Sequence, residues 1–159
     1  MKQTKRFLCW GAVAAWMVVI FLFSAQVGER SGDTSGQIVR WVIGVFYKGF
    51  ADLPEMKQVE FLEVVHLLIR KGAHFTEYAV LAMLVANALR IECLKKWQMW
   101  ILPIAVSALY ALTDEIHQYF VPGRACRFLD VCIDTAGAAV GTALVMLFLL
   151  AQKQQKKKR

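Results

Sequence analysis

"FLCWGAVAAWMVVIFLFSA", residues 7–25, contains no charged residue. Coiled as an α-helix, a run of this length crosses the roughly 30 Å hydrocarbon core of a bilayer. The basic "MKQTKR" before it would suit a cleaved leader. However, the apolar stretch exceeds the usual h-region of about 7–15 residues, and "FSAQ" is a poor A-x-A cleavage site. The expectation is a retained membrane helix.

The rest of the chain follows the same solvent. Its 159 residues are 58% hydrophobic with a mean hydropathy of +0.46, too apolar for an ordinary soluble domain of this length. Three further apolar runs bring the expected spans to about 7–25, 72–90, 97–118 and 130–151. In lipid every backbone donor and acceptor must be satisfied within the segment, so runs this long are helices. The predicted fold is a single all-α domain, residues 1–159: a polytopic bundle of four transmembrane helices. Between helices 1 and 2, residues 26–71 form a long connection. Its start, "VGERSGDTSGQ", is polar. Ile38, Trp41, Val42, Val45 and Phe46 then recur at helical spacing, which predicts an amphipathic helix on the outer surface. "EFLEVVHLLI", residues 60–69, predicts a second helical segment running into helix 2, with His66 an interfacial residue.

Charge sets the orientation. Lys2, Lys5, Arg6, Arg90, Lys95, Lys96, Lys153, Lys156, Lys157, Lys158 and Arg159 sit at the termini and in the 90–96 connection, with Glu92 the only acid near them. The opposite segments carry the other acids. Cytoplasmic loops are enriched in Lys and Arg, so both termini are predicted to be cytoplasmic and residues 152–159 a basic tail. The net charge of +7 is mainly this signal. The tail could touch anionic lipid, and nothing else in the chain supports a nucleic-acid partner.

On that map the polar residues of the apolar runs gather at one end. Helix 1 ends with Ser24 and Gln26. Helix 2 begins with Arg70, Lys71, His74, Glu77 and Tyr78. Helix 3 ends with Asp114, Glu115, His117 and Gln118. Arg124 and Arg127 follow, and helix 4 begins with Asp130 and Asp134. Ionisable residues in spans are costly and usually face the bundle interior or a watery cavity. Their spacing agrees: Arg70, His74, Glu77 and Tyr78 share one helical face, as do Tyr110, Asp114, His117 and Gln118, and as do Asp130, Asp134, Gly137 and Gly141. The last face includes a G-x-x-x-G, so the acidic edge of helix 4 is also its predicted packing edge. Glu115 falls off the helix 3 face, and Lys71, Glu115 and Arg127 each read as solvated interface residues.

"FSAQ" (23–26), "RKGAHFTEYAVL" (70–81), "YALTDEIHQYFVPGR" (110–124) and "DVCIDTAGAAVG" (130–141), in this order and spacing, resemble the VanZ-like membrane proteins. That family takes its name from a protein associated with teicoplanin resistance in Gram-positive bacteria. The resemblance implies a four-helix bacterial plasma-membrane protein with a role in the cell envelope or in glycopeptide tolerance. Implied partners are membrane lipids, a lipid-linked cell-wall precursor or a glycopeptide antibiotic.

The residues themselves allow several chemistries. His74, Glu77, Asp114, His117, Asp130 and Asp134 are ligand types for a divalent metal, but they match no H-E-x-x-H or zinc signature, so no cofactor is assigned. Cys126 and Cys132 flank the site without C-x-x-C spacing, and since both are expected to face outward a disulfide between them is left open. His74 with Glu77, or His117 with Asp114, suits acid–base catalysis, with Asp134 a further candidate, and Ser24 lacks the context of a nucleophile elbow. Arg70, Lys71, Arg124 and Arg127 suit phosphate at headgroup level, and Arg124 offers a bidentate fork. Tyr78, Glu115, Gln118, Asp130, Ser24 and Gln26 complete the expected ligand-binding set. Against all of these stands a purely structural role, in which Arg70 pairs with Glu77 or Asp134 and Arg124 with Asp114 to fix helix register, and in which Tyr78, Tyr110 and Tyr119 belong to the interfacial aromatic belt. Three functions remain open: a headgroup-binding envelope protein, a transferase or hydrolase acting on such a headgroup, and a small oligomeric transporter. The site's place at the helix ends counts against the last.

Overall fold

The uncharged run that opens the chain is one helix. In the computed structural model α1 spans Lys2–Ser24, α2 Glu55–Leu89, α3 Lys96–Tyr119 and α4 Phe128–Lys158. The structure describes residues 2–25, 39, 41–45, 47, 49–92, 94–122 and 126–158. Gln26, Ile38, Phe46 and Arg124, on which expectations rest, lie outside these. Among the described residues every regular element is helical, with no strand. Short connections reverse the chain after α2 and after α3, so α1 and α3 run one way and α2 and α4 the other.

α1, α3 and α4 are long and apolar enough to cross a membrane. α2 is not among them, although its 35 residues make it about 52 Å long. His74, Thr76, Glu77 and Asn87 dilute it. Yet it is the centre of the bundle, with Tyr78, Ala79, Leu81, Ala82, Val85, Ala86, Ala88 and Leu89 all buried. A helix walled by other helices is selected for packing, not for solubility in hydrocarbon, and small residues serve that best. α2 is also one continuous helix from Glu55. The only glycine in it, Gly72, does not interrupt it.

The closest approach is between α2 and α4. A β-carbon added to Gly137 would overlap the carbonyl group of Phe75, and one added to Gly141 would overlap that of Ala79. Two consecutive turns of α4 therefore rest directly on two consecutive turns of α2, and the helices run parallel. α1 joins this pair through a stripe made of Cys9, Val13, Trp16, Met17, Ile20 and Ser24, four or fewer residues apart along one face. Trp16 Nε1 donates to the Glu77 carbonyl at 2.9 Å, and the Tyr110 hydroxyl donates to the Met17 carbonyl at 2.6 Å. At the opposite end Arg6 Nε lies 2.9 Å from Glu92 Oε1, tying the start of α1 to the α2–α3 connection.

Before α2, residues 41–45 are helical, and a 3-10 turn follows at Phe50–Asp52. The side chains buried here are Val39 and Ile43, whereas Trp41 and Val45 of the expected apolar face are exposed. The segment is thus apolar on two sides, one against protein. Tyr47 stacks on Phe61 of α2 with centroids 5.4 Å apart, and Phe50 tilts against the same ring at 5.8 Å.

Gly→Ala inside a helix ordinarily stabilises by up to about 1 kcal/mol. Gly141→Ala is expected to do the reverse, because overpacking costs about 1–3 kcal/mol and here the obstacle is backbone. Gly72→Ala, with nothing within 4 Å of its β-carbon, is expected to be neutral or stabilising. Thermal unfolding of the two variants in detergent checks this pair.

Candidate polar site at the helix ends

α3 carries one buried stripe that changes character along its length. Pro103, Ser107 and Ala111 are followed by Asp114, Glu115 and Gln118, all buried. The neighbouring helices bring Tyr78 from α2, Asp134 from α4 and Ser24 from the end of α1 to the same half of the bundle. Tyr78 and Asp134 are 0% exposed, Ser24 2% and Asp114 3%. Asp134 lies in the electrostatic field of Asp114, Glu115, Asp130 and Glu77. Tyr78 lies in that of Asp114, Asp134, Tyr110 and Glu77. Residues from α2, α3 and α4 therefore make one acidic cluster.

Part of the cluster is satisfied internally. Gln118 Nε2 donates to Asp114 Oδ2 at 3.0 Å. Glu115 Oε2 accepts the Arg127 backbone N–H at 2.8 Å, which fastens the α3–α4 connection just ahead of α4. Lys71 and Asp130 form an ion pair at the rim, with side chains 26% and 20% exposed. His74 Nδ1 stands 4.0 Å from Glu77 Oε2 one turn along α2. The remainder is not satisfied. Asp114 Oδ1, both Asp134 oxygens, the Tyr78 hydroxyl and Ser24 Oγ have no hydrogen-bond partner among the described residues.

Several expectations change on this geometry. Glu115 is not a solvated interface residue. α3 has neighbours on more than one side, so the position off its acidic face is also interior. Lys71 is held by Asp130 and is not free at the surface. Tyr78 belongs to the core and not to the aromatic belt, where 69%-exposed Tyr119 does fit. Arg70 is half-buried and has no ion-pair partner among the described residues, so the proposed Arg70 pairing with Glu77 or Asp134 is absent. His117 packs its ring on Phe21 of α1, centroids 4.5 Å apart. Arg127, Cys126 and Cys132 are exposed, and the two cysteines are free thiols. Among the described residues no three His, Cys, Asp or Glu side chains form a group that could hold a metal ion. Sequence reasoning missed Ser107, buried with an unpartnered hydroxyl. Its signal was its position two turns before Asp114 on the same stripe.

The family model described as VanZ/LLP1 matches residues 9–149. The chain belongs to the VanZ/LLP1 family. No curated protein and no solved structure matches it. The VanZ/LLP1 match takes in every residue of the cluster, from Ser24 to Asp134, and leaves the lysines from Lys153 onward outside.

What the VanZ/LLP1 chain presents here is a set of acceptors held away from water. An uncompensated buried carboxylate costs several kcal/mol, and removing its charge relieves that cost. Asp134→Asn is therefore expected to raise the stability of the delipidated protein most at alkaline pH, where the side chain must carry its charge, and progressively less as pH falls and the carboxyl takes up a proton. Thermal unfolding in detergent measures it. A lowered midpoint would mean that a partner holds the carboxylate.

Proposed function

We propose that this VanZ/LLP1 chain is a four-span protein of the bacterial plasma membrane that binds the headgroup of a membrane lipid or lipid-linked cell-wall precursor. By occupying that headgroup it would contribute to tolerance of glycopeptides such as teicoplanin. In this reading α2 is the fourth span, both termini are cytoplasmic, and the acidic cluster faces outward.

The observation that carries the reading is the buried pair Asp114 and Asp134, of which Asp114 Oδ1 and both Asp134 oxygens have no hydrogen-bond partner among the described residues. A purely structural network would spend its carboxylates on cations of its own. These are instead left with open valences near the helix ends, the depth at which headgroups lie. The orientation draws support from the Arg6–Glu92 contact, which sets the N-terminus and the basic 90–96 connection at the end away from the acids. Exposed Trp41 and Val45 suit a segment lying in the interface above the cluster.

The test is expression in a teicoplanin-susceptible host, with a C-terminal reporter for sidedness and membrane amount. The chain is expected to raise tolerance, and Asp134→Asn to remove the gain while membrane levels stay normal. A reporter active only outside the cell, or full tolerance with Asp134→Asn, would overturn the reading.

A further inference from the structure

The valences left open in the cluster are specific about what fills them. Asp114 Oδ1 and both Asp134 oxygens can only accept while ionised, and the Tyr78 hydroxyl can accept as well as donate. These three side chains are at most 3% exposed and stand in one another's electrostatic field. Lys71, the cation at the rim, is engaged by Asp130.

A phosphate or carboxylate brings acceptors and negative charge to a place where the described residues already supply both in excess. A hydroxyl brings one donor and no charge. A quaternary ammonium brings charge but no donor, and such groups are held by aromatic faces. A primary ammonium brings three donors and one positive charge. We propose that the cluster takes the ammonium group of an amine-bearing lipid headgroup, seated among Asp114, Asp134 and Tyr78. This rests on the headgroup-binding reading above and names its ligand class. The rim repeats the chemistry, since Lys71 gives its own ammonium to Asp130, four residues before Asp134 on α4. Arg70, next to Lys71 and without an ion-pair partner among the described residues, is the cation that serves a phosphodiester attached to such an amine.

The full chain is purified from mixed micelles holding equal amounts of phosphatidylethanolamine, its N-acetyl derivative, phosphatidylcholine and phosphatidylglycerol. The lipid retained is quantified by mass spectrometry. Phosphatidylethanolamine is expected to exceed each of the others by about tenfold, the worth of one charge-assisted hydrogen bond. Asp134→Asn should abolish the preference, and Tyr78→Phe should weaken it severalfold. Equal or greater retention of phosphatidylglycerol would overturn the ammonium assignment and leave headgroup binding standing. Equal retention of phosphatidylcholine would show that charge alone is read, which also overturns it. Selective retention of no lipid would overturn the ammonium assignment, while the tolerance assay above tests the headgroup reading separately. Methylammonium chloride supplies a readout independent of lipid. It should raise the unfolding midpoint of the delipidated protein more than tetramethylammonium chloride does, and not in Asp134→Asn. Equal effects of the two salts would contradict the proposal.

Discussion

The contact of α4 on the backbone of α2 is the constraint from which the rest of this fold follows. Where Gly137 meets the Phe75 carbonyl and Gly141 meets the Ala79 carbonyl, there is no room for a side chain, so the two helices are fixed in separation, direction and register at once. In hydrocarbon, association gains little from apolar burial and depends on close packing of this kind. The register then decides what meets what above the contact. Asp130 reaches Lys71, and Asp134, one turn further in, enters the field of Tyr78 and Glu77. α3 completes the group by laying Asp114 and Glu115 along the same interior.

The acids gathered this way are not equivalent. Asp130 has a cation, Glu115 has a backbone N–H, and Asp114 has one amide donor on one oxygen. Asp134 has no hydrogen-bond partner among the described residues. A chain selected for stability alone would replace such a residue with a small apolar one, as the rest of that α4 face does with glycine and alanine. In the headgroup-binding reading proposed above, this residue trades stability for a ligand.

α1, α3 and α4, the helices long and apolar enough to cross a membrane, were legible because lipid-facing helices must be apolar and their long apolar runs say so directly. The G-x-x-x-G of residues 137–141 also revealed that the acidic edge of α4 packs inward. α2 was legible in its polar residues but not in its extent, since no proline or glycine cluster separates residues 55–71 from the rest of the helix. What a single helical wheel cannot show is how many neighbours a helix has. Glu115 lies about 100° round from Asp114, which looks like the outside until α3 is seen to have protein on that side too. Lys71 was misjudged for the same reason, since its partner Asp130 is 59 residues away. Tyr78 has the composition of an interfacial belt residue and the position of a core residue, and only packing distinguishes the two.

The central claim is that α2 and α4 touch backbone to backbone at these two glycines. Magic-angle-spinning NMR on labelled protein in lipid bilayers tests it at the atoms concerned. The account predicts short-range cross-peaks from Gly141 Cα to the Ala79 carbonyl carbon and from Gly137 Cα to that of Phe75. Their absence in spectra that resolve both glycines, or cross-peaks from those glycines to another helix, would contradict it.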